Sequence, residues 1–199
     1  MAEVRKGETV LVTGANGGLG VVACQVAKAL GAKVIGLVSS LDKARRLRSL
    51  LDIDVIVSGR AWENEVKAVG GGGVDVVIDN VGLVESSLRC LNFNGRIILV
   101  GFAGRNGIME EVAMNKILLK GARIIGYRYG EQGRRDPRAS ERIWEGYLEM
   151  INSGAIVPVI SPESYKGIDS IPKALQDLAD RRVAGKAIVQ CCNPGLAKL

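Results

Sequence analysis

The chain has 199 residues, 47% of them hydrophobic and 24% charged, with a net charge of +6 and no histidine. This length suits one domain, or one domain with an appendage, and buries enough surface to fold without a disulfide or metal. The missing imidazole excludes a histidine-based triad or zinc site. No apolar run approaches the roughly 18 residues of a membrane span. The segment Met1-Ala2-Glu3-Val4-Arg5-Lys6 lacks the apolar core of a secretory signal, so a cytoplasmic location is expected.

An apolar run, Thr9–Thr13, reads as the first strand and leads into Thr13-Gly14-Ala15-Asn16-Gly17-Gly18-Leu19-Gly20. A glycine-rich turn between a strand and a helix is a phosphate cradle. Gly17 lets the backbone approach a pyrophosphate, Gly20 lets the helix lie close to the strand, and the helix N-terminus presents N–H groups. The helix that follows places Leu19, Ala23, Val26, Ala27 and Leu30 on one face and stops near Gly31. Cys24 within it reads as a small buried side chain.

Lys33–Val38 is the second strand, followed by a basic helix over 42–51 with Asp42 as its cap and Ala44, Leu47 and Leu51 toward the sheet. Asp54–Val57 is a third strand, 62–69 a helix, and Val74–Asp79 a fourth strand of the nearly continuous apolar kind that is covered on both faces. A helix at 84–91, strands at 96–100 and 122–127 and a short helix at 113–119 complete six strands interleaved with helices. The fold class is therefore α/β, a doubly wound parallel (Rossmann) sheet spanning residues 1–155.

Residues 156–199 read as a short helix/strand appendage. It follows a helix that starts at Asp136-Pro137, carries Trp144, Tyr147, Leu148 and Ile151, and ends at Gly154. The appendage has a strand at 157–160, a helix with Ile171, Ala174, Leu175, Leu178 and Ala179 inward, and a strand at 186–190. Cys191 and Cys192 are adjacent and lack metal-ligand spacing. Arg123, Arg128, Arg134, Arg135 and Arg138 concentrate charge without an RNA-binding motif, which argues against nucleic acid as a partner.

The second strand ends Ser39-Ser40 without the acid that holds an NAD ribose. Lys43 could instead neutralise a 2′-phosphate, with Ser39 and Ser40 as hydrogen-bond donors. NADP(H) is thus preferred over NAD(H). TGANGGLG also satisfies the short-chain dehydrogenase pattern, but no tyrosine here stands four residues before a lysine.

The ordered set Gly7-Glu8-Thr9-Val10-Leu11-Val12, Ala15-Asn16-Gly17-Gly18-Leu19-Gly20, Gly73 to Gly82, Gly95-Arg96-Ile97, Val100 to Ala103, Leu118 to Gly121 and Gly185 to Val189 resembles the medium-chain dehydrogenase/reductase superfamily, specifically its zinc-free quinone oxidoreductase branch. The resemblance covers nearly the whole chain.

It implies a pyrophosphate at Asn16, Gly17, Gly18, Leu19 and Gly20, and a 2′-phosphate at Ser39 and Lys43. It further implies a ribose along Asn80 and Val81, and a nicotinamide beside Gly101, Phe102 and Ala103. Ser58 stands where some relatives place a 2′-phosphate-binding tyrosine, with Arg60 close by. The implied reaction is hydride transfer from NADPH to a quinone or an activated alkene such as an enoyl thioester. The alternatives are an enoyl reductase domain, or a binding module with no turnover. The resemblance also implies a homodimer through the sixth strand. It implies a separate GroES-like substrate domain on which 156–199 would pack, so no residue of this chain is assigned as catalytic.

Overall fold

A computed structural model describes residues 1–104 and 110–191. Among these, β1 (Thr9–Thr13), β2 (Lys33–Val38), β3 (Asp54–Val57), β4 (Val74–Asp79), β5 (Leu91–Leu99) and β6 (Arg123–Gly126) form one parallel sheet in the order β3-β2-β1-β4-β5-β6. The order reverses between β1 and β4, which opens a crevice at their carboxyl ends.

Alternation along each strand sends side chains to two separate cores. Val10, Val12, Val34, Val38, Val55 and Val76 meet Val21, Cys24 and Ala27 of α1 (Gly20–Ala29) and Ala44 and Leu47 of α2 (Leu41–Leu50). Leu11, Ile35, Leu37, Ile56, Val77 and Ile97 meet Trp62 and Val66 of α3 (Trp62–Gly70) and Val84 and Leu88 of α4 (Val84–Cys90). Covering both faces is what a parallel sheet requires, and it explains the unbroken apolar strands. No helix among the described residues is long and apolar enough to cross a membrane.

Several expectations are corrected. The buried face of α1 is Gly20, Val21, Cys24, Gln25 and Ala27, whereas Leu19 and Leu30 are exposed and Ala23 and Val26 half-buried. Ser40, not Asp42, caps α2: its Oγ accepts the Lys43 N–H at 3.4 Å, while the Asp42 carboxylate takes Arg45 at 2.9 Å. Leu51, expected inward, is the C-cap and only half-buried. Strand β5 begins five residues before the expected Arg96.

After α5 (Met114–Lys120) and β6, an unexpected helix, α6 (Tyr129–Arg135), precedes α7 (Pro137–Asn152). Asp136 caps α7 through the Ala139 N–H as expected. The stripe of Trp144, Tyr147, Leu148 and Ile151 remains unburied, with Trp144 packed edge-on against Tyr147. Residues 157–160 form no strand, only a bridge between Ile160 and Lys186. The final pairing is confined to β7 (Tyr165–Lys166) and β8 (Val189–Gln190). In α8 (Ile171–Ala179) the buried positions are Ala174 and Asp177, not Ile171, Leu175, Leu178 or Ala179. Asp177 earns its burial by accepting the Tyr165 hydroxyl at 3.0 Å and pairing with Arg182.

Candidate nucleotide-binding site

The glycine turn leaves β1 at the switch point. Gly14 has φ +61°, the Gly17 N–H bonds to the Gly14 carbonyl at 3.0 Å, and Val21 bonds to Gly17 at 2.9 Å, closing the first turn of α1. A Cβ on Gly20 would stand 2.3 Å from the Gly14 carbonyl oxygen and 2.7 Å from the Ala15 Cα. Glycine is thus required where helix meets strand. The side chain of Leu19 at the N-cap makes no capping hydrogen bond. Among the described residues the N–H groups of Gly18, Leu19 and Gly20 take no protein acceptor. These groups and the positive helix end face an anion's requirements. Asn16 is 7% exposed, yet its Oδ1 has no hydrogen-bond partner, an orphaned polar atom beside the same turn.

The opposite wall is tied to β1 by a buried network. The Thr13 hydroxyl donates to Asp79 at 2.6 Å, and the N–H groups of Val81, Gly82 and Leu83 converge on the same carboxylate at 2.7–3.0 Å. Asn80 donates from its amide to the Thr13 carbonyl at 2.9 Å, which fixes its side chain at the wall of the crevice. Its own carbonyl accepts the Ala103 N–H at 3.2 Å, and Val81 accepts Gly104 at 3.1 Å. Gly101, Phe102 and Ala103 are thereby held beside Asn80 and Val81. The continuation of that loop at 105–109 lies outside the described residues.

At the far end Ser39 and Lys43 meet, with Lys43 Nζ 2.9 Å from Ser39 Oγ. The Ser40 Oγ accepts the Lys43 N–H as the α2 cap, which leaves its O–H able to donate. Ser58 lies next to them, its N–H on the Val38 carbonyl at 2.7 Å. Burial and, secondarily, the charge of Arg181 hold the Lys43 ammonium below the usual lysine value. Two cations share this corner.

Arg181 was not among the residues the sequence singled out. It follows α8 with φ +59°, a left-handed conformation rare outside glycine, and its guanidinium donates to the Ala103 carbonyl at 3.2 Å. It reaches from the nicotinamide-side loop toward Lys43. Its sequence signal is only the pair Arg181-Arg182 four residues before Gly185.

Nucleophilic chemistry has little support. Burial pushes the thiols of Cys24 and Cys90 up to about 12, so neither supplies a thiolate at neutral pH. Cys191 is exposed, and Cys192 lies outside the described residues. Among the described residues no group of three or more His, Cys, Asp or Glu side chains could hold a metal ion.

The zinc-binding dehydrogenase family profile matches residues 18–152. Acryloyl-coenzyme A reductase of Sulfurisphaera tokodaii is 35% identical over 189 residues, 94% of this chain and 52% of the relative. Quinone oxidoreductase-like protein 2 of Bos taurus is 35% identical over 188 residues, 92% of this chain and 53% of the relative. The chain spans about half the length of the curated relatives it matches.

Among solved structures, a quinone oxidoreductase of Pseudomonas syringae superposes with a TM-score of 0.80 at 30% identity, covering 94% of this chain and 58% of its own. A mycobacterial protein complexed with NADPH gives 0.81 at 28% identity, covering 94% and 57%. With the six-stranded order, the glycine turn and these matches together, the chain belongs to the zinc-binding dehydrogenase family of the medium-chain dehydrogenase/reductase superfamily.

Proposed function

We propose that the chain binds NADP(H) across the β1/β4 crevice and serves hydride transfer from NADPH to a quinone or an activated alkene such as an enoyl thioester. The observation that carries this reading is the crevice itself. An uncapped helix N-terminus and an orphaned Asn16 stand at one end, and the Lys43 and Arg181 cations at the other. The relatives named for acryloyl-coenzyme A and quinone reduction, and the neighbour solved with NADPH, support the substrate class and cofactor.

The nicotinamide supplies the hydride when bound, and this chain's residues bind and orient it. Asn16, Gly17, Gly18, Leu19 and Gly20 would take the pyrophosphate through backbone N–H groups. Ser39, Ser40, Lys43 and Arg181 would take the 2′-phosphate. Asn80 and Val81 would line the ribose, and Gly101, Phe102 and Ala103 the nicotinamide side. Charge-assisted bonds to phosphate are worth about 1.5–3 kcal/mol each. Lys43→Ala should therefore weaken NADPH binding about 10- to 100-fold while changing NADH binding little, in a fluorescence titration. Equal losses for both nucleotides would contradict the NADP(H) assignment. NADPH oxidation with a panel of quinones and enoyl thioesters tests turnover, and binding without turnover would favour a nucleotide-binding module.

The 156–191 segment presents Val157, Ile160, Leu175, Leu178 and Ile188 as exposed apolar side chains. We propose that a substrate lobe covers them, supplied in the same polypeptide or by a companion. The free edge of β6 and the exposed Leu118, Leu119 and Ile124 beside it suit pairing with a second copy. A monomeric mass in sedimentation at micromolar concentration would end that part of the proposal. The free thiols of Cys24, Cys90 and Cys191 suit a reducing cytoplasmic setting, which recovery of the protein from a secreted fraction would contradict.

A further inference from the structure

Asp79 ends β4 with a fully buried side chain, and its carboxylate accepts four hydrogen bonds. Oδ1 takes the Thr13 hydroxyl at 2.6 Å and the N–H groups of Val81 and Gly82 at 3.0 Å each; Oδ2 takes the Leu83 N–H at 2.7 Å. The Thr13 oxygen in turn accepts the Asn80 N–H at 3.0 Å. A carboxylate is costly to bury unless donors surround it, so these bonds fix residues 80–83 to the end of β1 as one unit.

The nicotinamide-side loop hangs on that unit. Val100 and Gly101 donate to the Asp79 carbonyl at 2.8 and 3.3 Å, Ala103 to Asn80 at 3.2 Å, and Gly104 to Val81 at 3.1 Å. A Cβ on Gly101 would stand 3.3 Å from the Asn80 carbonyl oxygen, so loop and wall are in direct contact. The glycine turn is anchored elsewhere. Its Ala15 N–H donates to the Leu37 carbonyl of β2 at 3.1 Å, and its Gly17 N–H to Gly14 at 3.0 Å. Thr13 and Gly14 are neighbours in the chain, yet the two ends of the crevice have separate moorings.

We infer that Thr13 and Asp79 are positioning residues for the nicotinamide: their buried pair sets where the 100–104 loop stands, and leaves the grip on the adenosine phosphates to the glycine turn. The inference rests on the NADP(H) reading above. Both side chains are fully buried, so they act through the main chain of residues 79–81 and not by touching the cofactor.

Three variants isolate the pair. Thr13→Val keeps the side-chain shape, strips one donor from Asp79 and leaves the Asn80 N–H without its acceptor. Asp79→Asn replaces one accepting oxygen by a donor, and Thr13→Ser restores the hydroxyl. Affinities are measured by titration for NADPH and for 2′,5′-ADP, which carries adenosine phosphates and no nicotinamide. Amide hydrogen exchange on wild type, with each of NADP⁺ and 2′,5′-ADP, supplies a test that needs no variant.

Thr13→Val and Asp79→Asn should each lose about 10-fold for NADPH, on the scale of one buried donor left unpaired, and less than about 2-fold for 2′,5′-ADP. Thr13→Ser should return NADPH affinity to near wild type. A general loosening of the fold would lower both affinities together. In wild type, NADP⁺ should slow exchange at Gly82, Gly101 and Ala103 more than 2′,5′-ADP does. Equal losses for the two ligands, undiminished NADPH binding, or equal slowing of those amides by both ligands overturns the inference. Wild type that fails to bind NADPH overturns the reading beneath it.

Discussion

Gly20→Ala is expected to lower NADPH affinity at least about 30-fold and to destabilise the fold by about 2–3 kcal/mol, the upper part of the range for forcing a methyl into a packed site. The added Cβ would meet the Gly14 carbonyl oxygen at 2.3 Å, the Ala15 Cα at 2.7 Å and the Gly14 carbonyl carbon at 2.9 Å. All three are main-chain atoms of the turn itself, so no side chain can swing aside. Relief requires moving the start of α1 away from β1, and the N–H groups move with it. Gly17→Ala is the contrast: its Cβ meets only the Gly14 oxygen, at an ordinary 3.4 Å. It should melt like wild type and lose affinity only through crowding of the phosphate. A thermal melt and an NADPH titration on each variant check both halves. Wild-type melting and affinity in Gly20→Ala would mean that helix and strand are not packed as described.

The second large effect lies at the other end of the sheet. Arg96, buried in β5, donates from Nη1 and Nη2 to the Glu8 carboxylate at 2.9 and 2.7 Å, from Nη2 to the Glu3 carbonyl at 2.7 Å, and from Nε to the Ala2 carbonyl. This guanidinium pins the leading residues beneath β1 and β5. Removing one partner of a buried pair costs about 3–5 kcal/mol. Arg96→Met should therefore lower the melting temperature by roughly 10 °C, at about 2–4 °C per kcal/mol for a chain of this size. NADPH affinity should not change, because the crevice is at the opposite ends of the strands.

The same pair sets an acid response. The Arg96 hydrogen bonds, against a smaller opposing effect of partial burial and with help from the Arg5 N–H, hold the Glu8 carboxyl below the ordinary glutamate value. A depressed carboxyl contributes stability that is present above its unfolded value and is lost as pH falls through its folded one. Urea midpoints should thus fall more steeply below about pH 5 in wild type than in Glu8→Gln. Parallel curves for the two proteins would remove Glu8 from the account.

The first four strands were legible because each is a continuous apolar run covered on both faces, and nothing else in the chain competes for that pattern. The inward face of α1 was not, for a related reason. Its sequence, GVVACQVAKA, is apolar on most sides, so periodicity alone cannot choose between the face with Leu19 and the face with Val21 and Cys24. The α2 cap slipped by two residues because Ser40 and Asp42 are both good caps, and where β2 ends decides between them. The stripes of α7 and α8 are periodic, but periodicity alone does not bury them: α7 has no buried residue, and Leu175 and Leu178 of α8 stay exposed.

Within the site, the turn and the Ser39–Lys43 pair could be read from local sequence. The placement of Arg181 and Gly185 against the site could not. They arrive from more than a hundred residues away, through the Gly185–Asn16 and Gln25–Val157 hydrogen bonds. The left-handed backbone of Arg181 has no glycine to announce it. The bond from the Asn80 amide to Thr13 is visible only in the packed β1–β4 junction.

The most direct measurement is amide chemical-shift mapping on the isotopically labelled chain as NADP⁺ is added. The account predicts saturable shifts largest at Gly17, Gly18, Leu19 and Gly20, with smaller ones at Lys43 and Gly185. Saturation with those glycine amides unmoved, or no saturation at all, would contradict it.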